Sequence, residues 1–273
     1  MTDDATPLRT SGWRQGSIVP DSLAEKLVSE GIPSCDPVPG QLFLVVSHDC
    51  DVQNGSFSRE PYVELIRALP RESDDGTLRH GRNPRKLLVE VRTETRSRLY
   101  EISIQDRIMA DRRLLLGHDP DNATRLDLRN LRIMVRWLVN RYDRAAFPDA
   151  FNERLRPAHH RIRKSLSRGG SNISGIYVQV EDEELSEGTD YHVFAEATMP
   201  VEAFEHSKSR RQAQTCFDEV AAAMTDCDGI IVSEHILVSE GDFTLDELRQ
   251  LKRWDWDDLS LREEPSGELA PRV

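Results

Sequence analysis

Five consecutive residues gather reactive groups in one place: Ser47-His48-Asp49-Cys50-Asp51. They follow Gln41-Leu-Phe-Leu-Val-Val46, a short apolar run that suits a strand buried on both faces. Rigid scaffolds often present chemistry at such strand ends. Two carboxylates and an imidazole beside a core are costly unless paired, so their placement needs a structural or a functional reason. If the chain continues extended, Asp49 and Asp51 share one face, and His48 and Cys50 the other. A carboxylate pair can share a proton, bind a divalent ion or activate water. His48 with Cys50 reads as a thiol and base couple, or as half of a zinc site. The structural alternative is a polar turn in which Asp49 or Asp51 accepts backbone hydrogen bonds.

Other constellations are sparser. Cys35-x12-His48-x-Cys50 matches neither finger nor deaminase spacing. Trp13-Arg-Gln-Gly-Ser17 falls on an expected loop, where Trp13 could stack on a base and Gln15 read its edge. Equally, Trp13 could anchor the N-terminal arm in the core. The chain has no P-loop, G-x-G-x-x-G, G-x-S-x-G or H-E-x-x-H. Nucleotide-driven motors, dinucleotide oxidoreductases, ordinary serine esterases and zincins are thereby disfavoured.

The elements that must position these residues point to an α+β fold with a mixed or antiparallel central sheet. After a short helix at Ser22 to Glu30, strands are expected at Gln41 to Val46, Tyr62 to Ala68, Lys86 to Arg92 and Arg98 to Ile104, with Arg71 to Pro84 as an exposed loop. From Thr124 the period changes. Leu128, Leu131, Val135, Leu138 and Tyr142 predict a long amphipathic helix capped by Thr124 and Asp127, with Arg125, Arg129, Arg132 and Arg136 as a basic stripe. Tyr142 and Trp137 read as core residues. Basic His159-His-Arg-Ile-Arg-Lys164 then leads to Gly169-Gly170, which reads as a hinge or loop. Strands return at Gly175 to Val180, Tyr191 to Thr198 and Gly229 to Val238. Between the last two lies a helix with the stripe Ala213, Phe217, Val220 and Met224, and Thr244-Leu-Asp-Glu247 is a capping box. One domain over 1–262 is expected, divisible near 169–170, with 263–273 as a disordered tail.

Charge is segregated along the chain. The net charge is -12, yet Arg79 to Arg168 holds 22 Lys and Arg against 11 Asp and Glu, while Ser171 to Val273 holds 8 against 24. A basic middle is the footprint that phosphate binding needs; neutralisation by the acidic C-terminal third is the competing reading. No apolar run approaches the roughly 20 residues of a membrane helix. Four irregularly spaced cysteines and the absence of a leader pattern suggest free thiols in the cytoplasm.

The Trp-Arg-Gln-Gly opening, the strand running into Ser-His-Asp-Cys-Asp, and the Arg-rich helix continuing to Arg-Ala-Ala-Phe-Pro-Asp149 together resemble bacterial anti-phage defence proteins. Over Trp13 to Phe151 the chain looks similar to antiviral DNA glycosylases that excise glucosylated hydroxymethylcytosine. That resemblance implies a DNA-directed hydrolase acting on phage DNA, without metal or cofactor and away from membranes. Asp51, before Asp49, would stabilise the oxocarbenium-like sugar or align water, and His48 would position that water or the leaving base. Cys50 belongs to the same catalytic group. Trp13, Gln15 and Ser47 would contact the extruded base, and Arg129, Arg132, Arg136, Arg163 and Lys164 the phosphates. The alternatives are a nuclease holding Mg²⁺ with Asp49, Asp51 and a distant acid, and a sensor that binds nucleic acid or a protein partner without catalysis.

Overall fold

The computed structural model describes residues 5–31, 36–93, 95–142 and 145–255. Helix and sheet are mixed, but in two sheets rather than around one central sheet. The chain forms two compact units, Met1–Ser73 with Arg85–Leu138, and Asp74–Pro84 with Val139–Val273. These bounds fall at other points than Gly169-Gly170. Residues 263–273, read as a tail, lie outside the described residues, as does Cys35.

In the first unit, helices α1 (Thr6–Thr10) and α2 (Asp21–Ser29) precede strand β1 (Leu42–Val45). A helical turn, α3 (Asp49–Val52), leads to β2 (Tyr62–Arg71), β3 (Lys86–Thr93), β4 (Ser97–Asp111) and the short β5 (Thr124–Leu126). These strands form an antiparallel sheet in the order β1-β2-β4-β3-β5. Ile18 bridges Leu44 on one side and Asp121, just ahead of β5, on the other. The sheet thus curls until its two edges meet at Ile18.

Strand β1 is buried on both faces, as its unbroken apolar run predicts. Phe43 and Val45 pack with Trp13, Leu23, Leu27 and Val52. Leu44 and Val46 pack on the opposite side with Ile66, Val89, Met134 and Trp137.

Helix α4 (Leu128–Asn140) starts four residues later than its expected beginning at Thr124. Thr124 and Arg125 belong instead to β5, paired with Thr93 and Arg92, so Arg125 is not part of a helical stripe. Asp127 supplies the start: it accepts the Asn130 N–H at 2.8 Å and the Asn130 side-chain amide at 3.1 Å. The buried face consists of Met134, Trp137 and Leu138, with Leu131 half-buried. Leu128 and Tyr142, expected in the core, are 71% and 78% exposed. The apolar stripe is therefore shorter than periodicity suggested, because the packed face follows Leu131, Met134 and Leu138.

The second unit contains α5 (Asp149–Leu155), α6 (His159–Gly169), β6 (Gly175–Gln179), β7 (Tyr191–Met199), α7 (Val201–Glu205), α8 (Ser207–Thr225), β8 (Ile230–Ser239), α9 (Leu245–Gln250) and β9 (Lys252–Arg253). Its sheet has the order β8-β7-β6-β9. Only β7 and β8 run parallel, joined across one face by α7 and α8. Ala213, Phe217, Val220 and Met224 of α8 are buried against β7 and α6, as their spacing indicates. Both reciprocal bonds of the Thr244–Glu247 capping box are formed.

Two expectations for this unit are overturned. Residues 74–84 are not an exposed loop: Thr77, Leu78, Arg82 and Asn83 are buried, and the Arg82 guanidinium donates to the carbonyls of Gly76 and Gly170. Gly169 and Gly170 are likewise buried and form no hinge. A Cβ on Gly169 would come within 2.8 Å of Cys216 Cβ, and one on Gly170 within 2.8 Å of Arg82 Nη1. The glycines permit close packing there.

Among the described residues, no helix is long and apolar enough to cross a membrane.

Candidate functional site

The chain does not continue extended after β1. Val46 and Ser47 donate their N–H groups to Glu64 O, at 2.8 and 3.3 Å, and His48 turns out of the strand to cap α3. His48 Nδ1 accepts the Cys50 N–H at 3.3 Å. Acids in a first helical turn sit well beside its unpaired N–H groups, which favours the turn locally. At 100° per residue, Asp49 and Asp51 point about 200° apart. The expected carboxylate pair on one face is therefore not formed. His48, Asp49, Cys50 and Asp51 are also exposed, contrary to the expectation that they lie beside the interior.

Asp49 is nevertheless positioned: its Oδ1 accepts the Gln15 N–H at 2.7 Å. Gln15 Nε2 donates to Val46 O at 2.8 Å, so Gln15 ties the strand end to the turn on either side. Ser47 Oγ accepts the Glu64 N–H at 2.8 Å and is bound into the sheet rather than presented to a substrate. Trp13 requires a plain correction. It is fully buried, its indole Nε1 donates to His118 O at 2.8 Å, and no base can stack on it.

A residue absent from the sequence reading fixes the turn. Arg112, fully buried, donates to the carbonyls of Asp51, Val52, Asn54 and Ser56 at 2.6, 2.9, 2.8 and 3.0 Å. Its guanidinium also lies 4.9 Å from the Phe57 ring centre. Five donors in a rigid fork suit it to gather several carbonyls at once. Its partners lie 56 to 61 positions away, and no local pattern marks it.

The Trp13–Ser17 loop joins this corner to α4. Gly16, at φ +81°, donates to Val45 O at 2.8 Å, and a Cβ there would meet Leu131 Cδ1 at 2.8 Å. Three segments singled out in the sequence thus converge: the Gln15-Gly16 pair touches both the Asp49 turn and the arginine-bearing helix.

On α4, Arg129, Arg132 and Arg136 are exposed and enter no ion pair among the described residues. The helix itself carries no acid. Asp127, immediately before it, is engaged elsewhere: burial acts to raise its carboxyl, but bonds from the Asn130 backbone and side chain, with nearby Arg92, hold it below the ordinary range. Several other cations are paired with acids, among them Arg67 with Asp106 at 3.4 Å and Arg107 with Glu64 at 3.3 Å in the first unit. In the second unit Arg161 pairs with Asp226 at 2.5 Å, Arg168 with Glu219 at 2.6 Å, and Lys252 with Asp182. Arg163 and Lys164 are on the exposed face of α6 and belong to that unit.

Among the described residues, no group of three His, Cys, Asp or Glu side chains converges to hold a metal. The third acid that a two-carboxylate Mg²⁺ site would recruit is thus unsupplied by them. No protein-family model, curated protein or solved structure matches this chain.

Proposed function

We propose that the first unit binds nucleic acid through the arginine row of α4. The observation that carries this reading is the row itself: Arg129, Arg132 and Arg136 are exposed on a helix without an acid and enter no ion pair among the described residues, whereas Arg92 and Arg107 of the same unit and Arg161 and Arg168 of the other are paired with acids. Positions i, i+3 and i+7 put the three guanidinium groups on one side of the helix over about 10 Å. Exposed, unneutralised arginines make phosphate contacts that supply affinity without reading sequence.

Binding takes precedence over hydrolysis, because Trp13 is buried and the acids at the strand end are exposed. Removal of a modified base from phage DNA is the second reading. It is favoured by the fixed Gln15–Asp49 contact beside α4, with Asp49 or Asp51 as the working carboxylate.

The test is titration of full-length protein into a labelled short DNA duplex. Replacing Arg129, Arg132 and Arg136 together by Gln is expected to weaken binding on the order of 10- to 100-fold. Unchanged affinity would overturn the assignment. For the second reading, phage DNA is assayed for abasic sites. Their appearance with wild-type protein and loss with Asp51→Asn and Asp49→Asn would establish hydrolysis, and binding without abasic sites would remove it.

A further inference from the structure

The second unit carries a cavity that the α4 reading leaves unused. An open depression of about 340 Å³ is lined by His160, Arg163, Lys164, Ser167 and Arg168. Their spacing, i, i+3, i+4, i+7 and i+8, places all five on one face of α6, opposite Ile162, Leu166 and the other residues it buries.

The lining is cationic and rich in donors. Lys164 and His160 make no ion pair among the described residues. Arg168 is oriented: it donates to both carboxylate oxygens of Glu219 at 2.6 Å, while Ser165 Oγ holds one of the same oxygens at 2.6 Å. Glu219 therefore neutralises Arg168, while the Lys164 ammonium is left to solvent. Ser167 adds a neutral hydroxyl. Lys and Arg donors around a small concavity, with a hydroxyl among them, match the oxygens of a phosphate group.

We infer that this α6 depression is a second phosphate site, in which the phosphodiester backbone of a nucleic acid is held by Lys164 and His160, with Arg163 adding to the positive field of the lining. The inference rests on the nucleic-acid reading of the protein but not on α4, since the residues belong to the other unit.

The test compares wild-type protein, the α4 variant described above, and a variant carrying His160→Gln, Arg163→Gln and Lys164→Gln. All three substituted side chains are exposed, so folding is checked simply by an unchanged melting temperature. Each full-length protein is titrated with a short DNA duplex, and separately with inorganic pyrophosphate followed by amide chemical shifts on α6. The expected result is a several-fold weaker DNA affinity for the α6 variant, additional to the loss in the α4 variant. Unchanged DNA affinity in the α6 variant beside a weakened α4 variant would overturn this inference and leave the α4 assignment standing. Loss in the α6 variant alone would do the reverse. Pyrophosphate shifts on α6 without any DNA binding by the wild type would overturn the backbone assignment and leave a site for a small phosphorylated ligand.

Discussion

Glu196 lies in β7 at 1% exposure. Burial, and secondarily Glu247 on α9, push its carboxyl above the ordinary range. A carboxyl raised in the folded state gives most stability below its unfolded value, near 4, and loses it as pH rises through the folded value. Glu196→Gln should therefore melt higher than wild type at neutral pH, with the gap closing toward pH 4. A lower melting temperature at neutral pH would show an unrecognised partner. The described cysteines offer a second check. Cys50 is exposed, whereas Cys216 and Cys227 are buried, the former pushed up to about 11 by burial against the opposing pull of Arg82. A thiolate is the reactive form, so iodoacetamide on native protein near pH 8 should label Cys50 well before either buried thiol. Mass spectrometry of the peptides reads this directly, and equal labelling would contradict the burial pattern.

At the scale of elements, patterns confined to one segment were readable and those set by distant partners were not. The burial of β1, the α8 stripe and the Thr244 capping box follow from residues within a turn or two of each other. The helical turn at Asp49 does not, because Arg112 gathers its carbonyls from about sixty positions away. Trp13 presented two readings on a loop, and only the His118 carbonyl, 105 positions on, decides between them. The start of α4 was misplaced because β5 takes Thr124 and Arg125 for its pairing with β3. Gly16 marks where the candidate site depends on packing between elements. Gly12 and Gly16 share left-handed φ values of +82° and +81°, but only a Cβ on Gly16 would strike Leu131 of α4. Alanine at either position should cost about 1–2 kcal/mol from backbone strain. Gly16→Ala alone should also weaken DNA binding, since Leu131 must yield. Equal effects of the two substitutions on binding would separate the Gln15-Gly16 loop from the interface.

For the whole molecule, a net charge of -12 would ordinarily oppose a polyanion, and the fold shows how the opposition is kept local. Acids of the C-terminal third are spent partly on Arg161, Arg168 and Lys252 within their own unit. The first unit leaves its α4 arginines to solvent. Segregation along the sequence is therefore only half the story, since some cations of the basic stretch, such as Arg107 and Arg161, are paired with acids, while those of the α4 row enter no ion pair among the described residues. The most direct measurement is the dependence of DNA affinity on salt for wild-type protein and the Arg129, Arg132, Arg136 to Gln variant. Each phosphate contact contributes about 0.9 to the slope of log affinity against log salt on duplex DNA. The account predicts a slope shallower by roughly 3 units in the variant. Equal slopes in the two proteins would contradict it.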